Sequence, residues 1–199
     1  MRRAIACAAF LAIAACSAEE GEPAPVEDRP AAQIDRDATV EHERIGAKAQ
    51  MLLLSSGFAY RVAGGTSTEE IGFGIRRETV ERIARQQFGE PTAQTVNEEC
   101  GAGPMSFTEY GPLTFNFQEG RLVGWYVEAG GEITTADGVK PGATGFDFLA
   151  AERAASMVED STLDGEFRYT GADDGEVGGF VDEAGTVRAL YAGTNCFFR

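Results

Sequence analysis

LTFNFQEGRLVGWYV, residues 113–127, reads as two strands meeting at a tight turn. Leu113, Phe115 and Phe117 recur at period two, which puts them on one face of a strand. A two-residue loop over Glu119 and Gly120 would force Glu119 to positive φ, unfavourable for a residue with a Cβ. A three-residue loop with Gly120 in the left-handed position avoids this. Phe117 then faces Arg121, Phe115 faces Val123 and Leu113 faces Trp125, so the large apolar groups share the side that packs on helices. Asn116, Leu122, Tyr126 and Glu128 take the other side. The same loop chemistry at Glu183-Ala184-Gly185 pairs Val181 with Val187 and sends Phe180 and Leu190 to the opposite side. Leu122, Tyr126, Phe180 and Leu190 are therefore the candidate partner-binding residues, on a mixed polar and aromatic outer sheet face where Tyr is a common anchor. The competing reading has residues 46–70 covering that face and completing the core.

Outward from this hairpin, Val80, Ile83, Ala84 and Phe88 fall on one helical face, closed by Gly89 and Pro91. Phe146, Leu149, Ala150 and Arg153 give a second, weaker helical stripe. Ala47–Ser55 reads as a further short helix leading into a strand at Phe58–Val62. Glu166–Tyr169, Val177–Val181 and Thr186–Tyr191 read as strands between glycine-rich turns. Strands outnumber helices and neighbours are joined by short loops. The expected fold is α+β, an antiparallel sheet with short helices on one face. Gly74 and Gly142 each precede a helical pattern, and the hairpins that follow close on Gly120 and Gly185, at intervals of 46 and 43 residues. The spacing suggests a tandem repeat of helix-plus-hairpin units, about 58–130 and 131–199.

The N-terminus carries an address. Arg2 and Arg3 precede an apolar run, Ala4 to Ala15, which is shorter than the ~20 residues a bilayer core requires. A cleaved signal over residues 1–15 follows. Ile13-Ala-Ala-Cys16 resembles the lipobox of bacterial lipoproteins, which implies cleavage before Cys16 and attachment of diacylglycerol to its thiol, with N-acylation giving a stable anchor. Ser17 in place of Asp implies, within that resemblance, the outer rather than the inner membrane. An ordinary secretory cleavage near Ala14 or Ala18, or an uncleaved anchor, is the alternative. Residues 16–45 form an acidic tether: between Ser17 and Arg44 lie nine acidic residues, three arginines and Pro23, Pro25 and Pro30, with too little apolar surface to fold. Residues 46–199 make a single domain by length.

The 199 residues carry 17 Lys and Arg against 32 Asp and Glu, a formal charge of -15. Loss of the signal removes two basic residues and no acidic one, giving -17. Such a surface argues against nucleic-acid binding, which rests on neutralising phosphates with Lys and Arg. It favours solubility, basic partners or divalent cations. Cys100 and Cys196 are the thiols left beside Cys16 after maturation, and an oxidising compartment joins such a pair most simply as a disulfide.

Catalytic motifs are not evident. His42, the single histidine, falls in the tether, so a Ser-His-Asp arrangement lacks its base. Zinc loses its commonest ligand with it. Asp173, Asp174 and Glu176 are a weak metal candidate for Ca²⁺, although their spacing departs from an EF-hand loop, and a solvated turn is the other reading. Gly64-Gly65 and Gly101-Ala-Gly103 lack the Lys-Ser/Thr ending of a phosphate loop. No cofactor is expected.

The helix-and-sheet repeat looks like that of beta-lactamase inhibitory protein and of the small lipoprotein of the outer-membrane assembly machine. EECGAGP and LYAGTNCFFR look like stretches of uncharacterised Gram-negative envelope lipoproteins. These resemblances imply an envelope lipoprotein that binds or scaffolds an unknown envelope partner without catalysis, inhibition of an enzyme being one specific form. The alternative is a carboxylate- or cation-dependent periplasmic hydrolase.

Overall fold

The computed structural model describes residues 50–62 and 65–197. The signal segment, the tether, Cys16 and His42 lie outside them. Among the described residues the chain forms twelve strands in two sheets and two helices. No helix there is long and apolar enough to cross a membrane.

The first three strands are β1 (Gln50–Leu54), β2 (Gly57–Arg61) and β3 (Thr68–Gly72). Helix α1 (Arg77–Phe88) leads into β4 (Ala93–Asn97), β5 (Met105–Tyr110), β6 (Leu113–Gln118) and β7 (Arg121–Glu128). After the short β8 (Thr134–Thr135), helix α2 (Phe146–Arg153) leads into β9 (Ser156–Met157), β10 (Glu166–Thr170), β11 (Glu176–Val181) and β12 (Val187–Gly193). The large sheet runs β4-β5-β6-β7-β12-β11-β10-β9, antiparallel throughout; the small one runs β3-β2-β1-β8, with β8 parallel to β1.

Both helices and the small sheet cover one face of the large sheet. Met51, Leu53, Phe58 and Tyr60 of the small sheet, Val80, Ile83 and Ala84 of α1 and Leu149 of α2 join Leu113, Phe115, Phe117, Trp125 and Phe167 in one core. The rings of Phe58 and Phe115 meet across the layers at 5.5 Å. Trp125 buries its indole fully and still satisfies Nε1, which donates to the Leu54 carbonyl at 2.8 Å.

Two expectations change here. Residues 50–54 are a strand, not part of a helix over Ala47–Ser55; a short apolar run has no period of its own, and the Ser55-Ser56 turn returns it as a hairpin against β2. The β6–β7 loop is the two-residue one: Glu119 and Gly120 adopt φ of 50° and 70°, and Gln118 pairs with Arg121. The left-handed pair matches the twist of the strands, and the hairpin tip is held from outside. The Arg77 N–H donates to the Gly120 carbonyl at 2.9 Å, the Leu122 N–H to the Ile75 carbonyl at 2.9 Å, and the Arg121 guanidinium to the Gly74 carbonyl at 2.8 Å. The first of these contacts also serves α1, whose N-cap, Arg76, offers no side-chain cap.

A register shift between Asn116 and Phe117 follows from that diversion: Phe117 pairs with Leu122, but Phe115 pairs with Trp125 and Leu113 with Val127. Leu122 therefore points into the core. At the second hairpin Val181 does pair with Val187, but a shift of the same kind then sets Phe180 against Ala189 and Gly179 against Leu190. One extra residue reverses the facing of all that follow, so Leu190 also points inward. Leu122 and Leu190 are fully buried, which removes them from the outer face.

Each helix is followed by four antiparallel strands, and the two sets meet where β7 pairs with β12. Around α2 the Phe146 N–H donates to the Gly185 carbonyl at 2.8 Å and the Val187 N–H to the Thr144 carbonyl at 2.9 Å, in the manner of Arg77 with Gly120 and Leu122 with Ile75.

Candidate functional site

The face of the large sheet turned away from the helices is crossed by the segment that follows β12. The Thr194 N–H donates to the Val123 carbonyl at 2.8 Å. The buried side-chain amide of Asn116 donates to the Thr194 carbonyl at 3.1 Å and to Asn195 Oδ1 at 2.7 Å, and Asn97 donates to Cys196 Sγ at 3.4 Å. Gly124 allows this approach, because a Cβ there would run into the Thr194 carbonyl oxygen. Cys196 is paired with Cys100, their Cα atoms 5.4 Å apart, so the segment is tied to the loop between β4 and β5.

This crossing sets Phe197 among aromatic rings. Its centroid lies 4.9 Å from Tyr191, 5.4 Å from Phe180 and 6.1 Å from Tyr126, each contact edge-on, an arrangement that suits ring quadrupoles. Arg188 lies over the Phe180 ring at 4.9 Å. Tyr191 lies against Gly178, where any side chain would collide with the ring, and its hydroxyl donates to Glu166. Glu166, almost fully buried, also accepts the Ser161 hydroxyl. Tyr126 donates to Glu128 Oε1 at 2.9 Å. Half-burial first, and then the Glu128 hydrogen bond and charge, push its phenol up to about 12.

Grooves flank the segment on this face. One of 540 Å³ runs between Arg168, Glu176, Tyr191, Asn195 and Phe197; another, of 170 Å³, lies between Phe107, Thr114, Tyr126 and Phe197. Beside the β6–β7 tip a third, of 630 Å³, is lined by Gly74, Pro104, Gln118 and Arg121. The first groove carries both signs of charge, Arg168 and Glu176 pairing at 3.2 Å.

Of the four residues expected on an outer face, Tyr126 and Phe180 lie here, with Phe180 largely covered by Tyr191, Phe197 and Arg188. Leu122 and Leu190 do not. Residues 50–62 and 65–72 cover the inner face, so the competing reading holds for Leu122 and Leu190, which join Met51, Leu53, Phe58 and Tyr60 in the core, and not for the face that carries Tyr126 and Phe180. Tyr191 and Phe197 were not marked by the sequence; the signal for them is the Asn195-Cys196-Phe197 run beyond the last strand, which a Cys100 bond must fold back.

Asp173, Asp174 and Glu176 do not converge. Asp173 accepts hydrogen bonds from Ser55 and Ser56, Asp174 is an exposed turn residue at φ 59°, and Glu176 pairs with Arg168. Among the described residues no three His, Cys, Asp or Glu side chains come together as metal ligands. Another carboxylate drawn inward, Glu81, seats α1 on β5. Burial alone would push it up, but hydrogen bonds from Arg77 and Thr108 and the charges of Arg77 and Arg85 outweigh this and hold it below the usual range.

Comparison with known proteins finds no family model, no curated protein and no solved structure that matches the chain.

Proposed function

We propose that the chain is a lipid-anchored envelope protein that binds or scaffolds a partner without catalysis, and that the outer face of its large sheet is the binding surface. The observation that carries this is the aromatic group of Tyr126, Tyr191 and Phe197, packed over the buried Phe180 on a sheet face that neither helix nor second sheet covers, with Phe197 held there by the Cys100–Cys196 pair beside it. Aromatic side chains held in place contribute large contact area with little further loss of rotamer freedom, the usual property of an interface centre. Grooves on either side of Phe197 give a partner's side chains somewhere to enter. The anchor at Cys16 and the acidic tether supply attachment and reach.

The paired helix-plus-four-strand arrangement is read as a tandem duplication. Both units carry the same hydrogen bonds between helix start and hairpin tip, and both hairpins carry a register shift at the corresponding point. A duplicated sheet doubles the width of the open face, which suits a protein partner better than a small ligand.

Photo-cross-linking in native membranes tests the reading. A photoreactive residue replacing Tyr126 or Phe197 should give a discrete adduct that a photoreactive residue at exposed Asp164 does not. Equal, diffuse labelling from all three positions overturns it, as does hydrolytic activity of the purified chain that Glu166→Gln abolishes.

A further inference from the structure

Sheet edges present unpaired backbone N–H and C=O groups, and proteins guard them with charge, proline, bulges or shortness. Among the described residues four strands end a sheet. β8 and β9 are two residues long. β3 places Glu69 and Glu70 side by side in its centre. β4, Ala93-Gln-Thr-Val-Asn97, has none of these guards: it is five residues long, all five pair with β5 in unbroken register, and it contains neither charge nor proline. Gln94, Thr95 and Val96 are exposed, Val96 at 64 %. In a chain that is a quarter charged residues, an uncharged open edge with a bare β-branched side chain is out of keeping with the rest of the surface.

Acid brackets that edge. Glu90 precedes β4 with its side chain 83 % exposed, Glu98 and Glu99 follow it, and Glu109 stands on β5 opposite Ala93. Arg85 is the basic group beside them, and it is engaged by Glu90 at 3.0 Å and Glu81 at 3.7 Å.

We propose that β4 is a strand-addition site for an extended basic segment of a partner protein, β-branched at its centre to pack on Val96 and carrying Lys or Arg at both ends to meet Glu90 at one end and Glu98 and Glu99 at the other. Backbone hydrogen bonds along the open edge supply the affinity and the flanking charges the choice of partner. A second copy of this chain is the poorer occupant. Antiparallel pairing of two β4 strands about Thr95 brings Glu98 and Glu99 of each copy toward Glu90 of the other, and like charges placed opposite are destabilising. The end of β4 adjoins the aromatic face, where Asn97 donates to Cys196 Sγ, but the proposal rests on the open backbone edge and its flanking acid and not on the rings.

The test uses the intact chain, isotope-labelled, and a capped probe peptide with alternating Val and Thr flanked by lysine pairs. The amides of β4 that point away from β5 should exchange about tenfold more slowly with the peptide present, and the same peptide with glutamate in place of lysine should give no protection. Thr95→Lys with Val96→Lys should weaken binding about tenfold and leave the unfolding midpoint unchanged, since both positions are exposed. Glu98→Gln with Glu99→Gln should weaken binding and flatten its salt dependence without touching the edge. Equal binding of the acidic peptide, protection confined to other strands, or β4 amides already protected in the free chain would each overturn the proposal. Protection that rises with protein concentration would identify a second copy as the occupant instead.

Discussion

The carboxylate of Asp173, in the β10–β11 loop, accepts both the backbone N–H of Ser55 at 3.1 Å and its hydroxyl at 2.7 Å, across 118 residues of sequence. Ser56 adds its own N–H at 3.1 Å and hydroxyl at 2.8 Å. The turn of the small sheet is thereby fastened to the large one. Burial pushes Asp173 up, but the donors of Ser55 and Ser56 outweigh it, and its pKa lies below the ordinary value. A depressed folded pKa means stability that is fully present above the unfolded Asp value, about 3.9, and lost as pH falls through the lower folded value. Asp173→Asn should therefore destabilise the protein by about 2 kcal/mol at neutral pH. The difference from wild type should shrink on acidification below about pH 4, as the wild-type carboxyl protonates. Urea unfolding at several pH values measures this; a difference that stays constant into acid would show that the charge of Asp173 is irrelevant.

Leu190 and Tyr126 lie on neighbouring strands but on opposite faces of one sheet, and their substitutions should separate stability from binding. Leu190→Ala leaves a cavity in the core and should cost about 2 to 5 kcal/mol. Tyr126→Phe removes a hydroxyl whose partner, Glu128, is exposed, so it should change stability by less than about 1 kcal/mol. Thermal melts of both variants decide the facing; a Leu190→Ala melt indistinguishable from wild type would refute the inward register of β12.

Periodicity made α1, α2 and the central strands legible, because Val80, Ile83 and Ala84, or Leu113, Phe115 and Phe117, carry their own period. It failed where burial is complete or absent. Met51 to Leu54 is apolar without a period, so its strand looks helical in the sequence, while β4 is short and mostly exposed, with Val96 as its one large apolar residue, and shows no alternation to mark it as a strand. Facing on the two hairpins was lost to register shifts of one residue, which are set by Ile75 and Thr144 holding Leu122 and Val187 from outside the sheet. Tyr126 and Phe180 do face the outer side, Phe180 nearly covered by its neighbours. Phe197 reaches that face through the fold-back beyond β12, and the acidic turn at Asp173 finds its partners in a hairpin more than a hundred residues earlier.

Mass spectrometry of the mature N-terminus tests the address written in residues 1–16. The positive start, the short apolar run and Ile13-Ala-Ala-Cys16 converge on cleavage before Cys16, so the first residue should be a cysteine heavier by diacylglycerol and a further acyl chain. Cys16→Ala should release the protein from the membrane. An unacylated start at Ser17 or Glu19 would refute the anchor.

The Cys100–Cys196 pair should matter to the aromatic face more than to the fold as a whole. Its sequence separation of 96 gives a chain-entropy contribution of at most about 4 to 5 kcal/mol, so reduction should lower the melting temperature. The core does not depend on it: β12 is paired on both sides by β7 and β11, and Thr194 and Asn195 remain held by Val123 and Asn116 without any help from sulfur. Phe197 has no such backbone fastening among the contacts described, and its position against Tyr126, Phe180 and Tyr191 rests on Cys196 beside it. Cys100→Ser with Cys196→Ser should thus give a folded, membrane-anchored protein in which ring contacts between Phe197 and Tyr191 are lost and cross-linking from position 126 falls, while far-ultraviolet dichroism is unchanged. Two alkylatable thiols in freshly isolated, unreduced protein would show that the bond does not form. Undiminished cross-linking by the double variant would show that Phe197 is not part of the binding surface.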